Sequence, residues 1–156
     1  MGWSSHFLRL TSHLKNFMDI TIDRIMQNFD VLTDWEDRYR YIIELGRKLP
    51  PFDEEYKVDD NLVRGCVSQV WLVTDVRDGD PPVIEFRADS DAQIVKGLVA
   101  ILLSLYSGKT AREILTADIR SIFQKLDLAR HLSINRANGF AAMVKRIHEL
   151  ALATAA

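Results

Sequence analysis

The chain of 156 residues holds a single cysteine, Cys66, and that scarcity excludes a good deal. One thiol forms no internal disulfide, and it falls short of the three or four ligands of a closed zinc or iron–sulfur site. The lack of a disulfide framework fits a reducing compartment, so a cytoplasmic location is expected. No excess of one charge is present either. Lys+Arg number 20 against Asp+Glu 22, so no broad cationic field draws phosphate backbones and nucleic acid is not an expected partner. Long hydrophobic runs are missing as well: LVAILLSLY at 98–106 is interrupted by Ser104 and lies far below the ~20 residues of a membrane span. Gly65 and Gly97 stand too isolated to form a phosphate loop. What remains, at 47% apolar residues, is enough for one domain around one core.

The first seventeen residues, MGWSSHFLRLTSHLKNF, carry Arg9, Lys15 and no acid. Their composition is that of an organellar transit segment, but an N-terminal extension ahead of a start at Met18 is the preferred reading, with the domain running over 18–156. From Met18, the residues Ile22, Ile25, Met26 and Phe29 recur at helical spacing. Thr33-x-x-Glu36 reads as the capping box of a second helix that turns Trp35, Tyr39, Ile42, Ile43 and Leu45 inward. Pro50 and Pro51 stop it. Residues 50–64 then form a long acidic connection without a periodic pattern.

Two strands follow, VSQVWLVTDV and VIEFRAD, about the turn RDGDPP, which predicts a meander of two or three antiparallel strands. Trp71 reads as core. Ser90-x-x-Gln93 is expected to cap a strongly apolar, central helix that ends at Gly108 in a left-handed residue. Thr110-x-x-Glu113 starts a short helix, DIRSIFQKL forms another, and Ser133 caps a last helix to about Leu150, leaving ALATAA to fray. The order of helix pair, sheet and helix group is an α+β layout.

Cys66 sits between the polar connection and a strand, directly after Gly65, whose missing Cβ permits backbone angles closed to other residues. A loop thiol on a rigid sheet edge suits a nucleophile, although a small buried hydrophobe is the common use of one cysteine. Three uses stay open. A Cys66–His131 pair would serve a hydrolase or transferase; His6 and His13 belong to the extension, and His148 falls on the last helix. The cysteine could instead be inert within a binding module. Finally, a thiol that receives a group and passes it on needs no second cysteine.

Four ordered blocks favour the last of these, with the hydrolase or transferase kept as the alternative: WEDRYRYIIELGRKLP, VRGCVSQVWLV, DSDAQIVKGLVAILLSLYSG and HLSINRANGFAAM. With its Gly-Cys-x-Ser-x-Val-Trp centre, the chain resembles the SufE family, sulfur acceptors that work with SufS-type cysteine desulfurases in iron–sulfur cluster assembly. It departs from the family's usual pattern at Val67, where glutamine is common, and at Ile134 and Asn135, where proline and serine are. The resemblance implies an α+β, SufE/IscU-like single domain, a small antiparallel sheet packed against a helix group. It also implies that Cys66 carries persulfide sulfur taken from a desulfurase containing pyridoxal phosphate and passed to a SufBCD-type scaffold, as an accessory protein rather than a stand-alone enzyme.

By the same resemblance, Asp91 and Arg136 lie near the cysteine loop or meet the partner, and Gly65 and Ser68 belong to its motif. Arg64 is the nearest cation in sequence to favour the thiolate. Val67, Val70 and Leu72 are expected to line the thiol and shelter it in the free protein. No metal or organic cofactor is expected in this chain, and the domain is expected as a monomer or homodimer.

Overall fold

The computed structural model describes residues 20–155, so the extension at 1–17, with His6 and His13, and the helix start expected at Met18 lie outside the described residues. The first described helix, α1, is Ile22–Val31. Thr21 begins it, its hydroxyl accepting from the Arg24 N–H at 3.1 Å. Ile25 and Phe29, one turn apart, are its fully buried residues. Helix α2 spans Trp35–Arg47. Its cap is Asp34 rather than the expected Thr33: the Asp34 carboxylate accepts from the Glu36 N–H at 3.1 Å, and Asp is at least as good a cap as Thr.

The connection at 50–64 is not the structureless loop expected. It contains two 3₁₀ turns, Glu54–Tyr56 and Asp59–Asn61. It is strapped across the outer sheet face by Lys57, whose ammonium lies 5.3 Å from the Trp71 ring centre and 3.2 Å from Asp89. The Arg87 guanidinium lies 5.3 Å from the Tyr56 ring centre. Trp71 is therefore buried under this strap, on the face opposite the main core.

Strands β1 (Val70–Arg77) and β2 (Val83–Ser90) pair antiparallel in a register that sets Val70 opposite Ser90 and Arg77 opposite Val83. A two-residue strand β3, Lys109–Thr110, completes the order β1-β2-β3. Alternation sends Val70 and Leu72 with Ile84, Phe86 and Ala88 into the core. Helix α3, Gln93–Tyr106, packs on that face. It is apolar nearly all round because it also meets α2 and the last helix, and each fully buried Leu or Ile contributes roughly 1.5–3 kcal/mol. Its N-cap is Ala92, without a side-chain cap. The Ser90 hydroxyl accepts from the Ala92 N–H at 3.3 Å and donates to the Gln69 carbonyl, so the expected Ser90-x-x-Gln93 box is not formed. Gly108 adopts φ +78° just past α3, as expected.

Short helices α4 (Ala111–Thr116), α5 (Ile119–Lys125) and α6 (Leu128–His131) lead to α7, Ile134–Ala155. The expected Thr110/Glu113 capping box is formed in full at the start of α4. The tail does not fray at Leu150: α7 continues to Ala155, because Ala151 is fully buried against the core.

Candidate functional site

Cys66 lies at the middle of a five-residue bend, 64–68, between two fixed points. Upstream, the Val63 N–H donates to the Val70 carbonyl at 2.9 Å, and Leu62 bridges to Trp71. Downstream, the Asp91 carboxylate accepts from the Gln69 N–H at 3.1 Å, while the Asp91 N–H donates back to the Gln69 carbonyl at 3.3 Å. Gly65 turns the chain with φ +94°, and a Cβ there would stand 3.2 Å from the Ala142 Cβ of α7. The bend thus needs glycine twice over, for its dihedral and for its closeness to α7.

The half-buried thiol points at α7, where the Gly139 carbonyl accepts from its S–H at 3.5 Å. Gly139 lies directly against the sulfur: a Cβ on it would stand in ordinary contact, 3.6 Å from Sγ. Beside the sulfur opens a cavity of about 360 Å³. Val95 and Leu98 of α3 with Phe140 and Met143 of α7 make its apolar wall, and Ser68, Ser133, Asn135 and Arg136 bring polar groups to it. Burial pushes the Cys66 thiol above its ordinary range, and a hydrogen bond given by the neutral S–H works in the same direction. In this state the sulfur is a protonated thiol at neutral pH, not a standing thiolate.

Of the residues singled out from sequence, Ser68 and Arg136 line the cavity with Cys66. Asp91 is exposed and holds the bend at Gln69 without lining the cavity. Arg64 is exposed beside Gly65 and, among the described residues, enters no ion pair and does not line the cavity. The expected lining of Val67, Val70 and Leu72 is corrected at two of its three positions. Val67 borders the cavity but is 79% exposed, whereas Val70 and Leu72 face the main core. The strand starts at Val70, later than expected, and alternation from there points both away from the thiol.

The pairing of Cys66 with His131 is corrected too. No histidine lines the cavity among the described residues. His131 stacks on Trp35 instead, ring centres 3.9 Å apart and planes 12° apart, with Nε2 3.6 Å from Asp127. Gly139 and Asn135 were missed from sequence. A glycine inside a helix costs about 1 kcal/mol against alanine, so NRANGF did carry a sign of close approach.

A family model described as an Fe-S metabolism associated domain, SufE, matches residues 23–151. The chain belongs to the SufE family. It shares the family's association with iron–sulfur metabolism. An uncharacterised SufE-like protein of Rhizobium etli is 54% identical over 138 residues, covering 87% of this chain and 93% of that one. A second SufE-like protein, of Rhizobium meliloti, is 50% identical over 128 residues, covering 81% and 91% respectively. In fold, the chain is similar to a hypothetical protein of Thermus thermophilus solved in solution, with TM-score 0.68, 17% identity and coverage of 86% of this chain and 96% of that one. Among the described residues, no His, Cys, Asp and Glu group of three or more is placed to hold a metal, and no helix is long and apolar enough to cross a membrane. The α+β architecture of this SufE domain therefore presents the thiol beside a cavity, on a bend fixed at both ends.

Proposed function

We propose that this SufE-family protein accepts persulfide sulfur on Cys66 from a SufS-type cysteine desulfurase, stimulates that enzyme, and hands the sulfur to a SufBCD-type scaffold in the cytoplasm. The observation that carries the reading is the placement of the only cysteine: on a glycine-hinged bend, sulfur inward, beside a cavity with space for more than a thiol. The chemistry is one displacement. The Cys66 thiolate attacks the outer sulfur of the donor persulfide, a new S–S bond forms, the donor S–S bond breaks, and the donor thiolate leaves. No net oxidation occurs, and Cys66 ends as the persulfide.

A raised thiol pKa opposes the first step in the free protein. Docking must therefore bring the sulfur out of its buried setting, and rotation about Gly65 can do so, since glycine tolerates both signs of φ. Out of the cavity, Arg64 and Arg136 are the cations available to favour the thiolate. Returned to it, the persulfide is shielded by Val95, Leu98, Phe140 and Met143 from reduction and further oxidation. The working unit is the domain over 18–156.

The test is intact mass after incubation with a desulfurase and cysteine. The wild type is expected to gain one or more sulfur masses that reductant removes, and Cys66→Ser to gain none. No gain on the wild type, or an equal gain on Cys66→Ser, rejects the carrier role.

A further inference from the structure

His131 offers more than a failed catalytic pairing. It is the last residue of α6, two positions before Ser133, whose hydroxyl starts α7 by accepting from the Arg136 N–H at 3.2 Å. Between the stacked ring and the first cavity residue, the chain has only Leu132 to absorb movement. The corner that supplies Ser133, Asn135 and Arg136 to the cavity is thus adjacent to the Trp35 stack.

Asp127 supports the same arrangement. It begins α6 at φ +57°, a left-handed conformation uncommon for a residue with a Cβ, yet its carboxylate caps no helix N–H. It faces the other end of its own helix: Oδ2 lies 3.6 Å from His131 Nε2 and 3.4 Å from Arg130 Nη1. The other side of the imidazole is covered by the indole of Trp35, the first residue of α2. The ring is therefore placed by its stack on Trp35, with Asp127 near its Nε2 edge. Arg136, by contrast, is exposed, and nothing on its own side chain pins it among the described residues.

We propose that His131 is a positioning residue for the Cys66 cavity, acting through its stack on Trp35 to fix the α6–α7 corner that brings Arg136 to the cavity wall. The role concerns the shape and charge of the cavity, so it stands or falls independently of whether sulfur is the cargo.

The experiment compares two alkylating probes of Cys66, anionic iodoacetate and neutral iodoacetamide, on the full chain without any partner. The ratio of their rates, referred to a free thiol, reads the cation presented to the sulfur, and a general loosening of the fold does not raise or lower it selectively. Arg136→Gln is expected to lower that ratio about two- to fivefold, the size of one well-screened charge lining the same cavity. His131→Ala is expected to lower it as far, while His131→Phe, which keeps an aromatic ring on Trp35, retains the wild-type value. An unchanged ratio in His131→Ala or in Arg136→Gln, or a loss in His131→Phe equal to that in His131→Ala, overturns the proposal. Should His131→Ala fail to fold, Trp35→Leu removes the other half of the stack and must lower the ratio; a wild-type value there overturns it equally.

Discussion

At the scale of single residues, the sulfur and the two glycines near it set the behaviour of the site. Because burial raises the Cys66 pKa, iodoacetamide labelling of the free protein should climb with pH about a midpoint above the ~8.5 of an unperturbed thiol. A midpoint at or below that value would contradict the neutral, inward thiol. Gly65→Ala forces a Cβ into φ +94° and toward Ala142, and should cost about 1–2 kcal/mol in chemical denaturation. An unchanged midpoint of unfolding would show that the bend relaxes freely. Gly65 and Cys66 were legible in the sequence because a glycine beside a unique cysteine is a local signal. Gly139 was not, since its contact to the sulfur joins residues 73 positions apart and no local pattern encodes that distance.

Elements show a different boundary of legibility. Helices were found by period, but their first residues depend on which of two adjacent cap candidates the tertiary structure favours. Thr110 and Glu113 form both hydrogen bonds of their box, at 3.2 and 3.0 Å, so Thr110→Ala should lose about 1 kcal/mol. Asp34 and Ala92 took the caps expected of Thr33 and Ser90, the latter because α3 begins only after Ala92 and the Ser90 hydroxyl accepts from the Ala92 N–H instead of a first-turn N–H. Gly97 has its use in the crossing of α2 and α3. A Cβ on it would overlap the Ile42 carbonyl, and one on Gly46 would come within 2.6 Å of the Gly97 nitrogen. Gly97→Ala should therefore destabilise by about 3 kcal/mol or more, whereas Gly108→Ala, with no atom within 4 Å, should cost only the ~1–2 kcal/mol of its dihedral. Thermal unfolding of the pair decides it, and equal losses would remove the crossing argument.

For the molecule as a whole, the α+β order of helix pair, sheet and helix group could be read from periodicity, but the strap over the sheet could not, because acidic residues without a period give no face to assign. Its anchor is Asp89. Burial pushes that carboxyl up, yet the Ser90 N–H together with Lys57 and Lys96 outweighs it and holds the pKa below the ordinary carboxylate value. A depressed folded pKa stabilises the fold above the unfolded value and is lost as pH falls through the folded one. Urea midpoints should accordingly drop faster below about pH 4 in the wild type than in Asp89→Asn, and parallel acid limbs would refute the anchor. The pins on either side of the cysteine bend carry a last consequence. Val63 and Gln69 are each three residues from Cys66, and an extended chain spans at most ~3.3–3.6 Å per residue, so the sulfur is on a leash of roughly 10 Å. It cannot travel between distant stations as a long swinging arm does. In the proposed carrier role, each donor or receiver would have to push its own reactive atom to the rim of this domain, which makes the delivery range a property of the partner's protrusion rather than of this chain's flexibility.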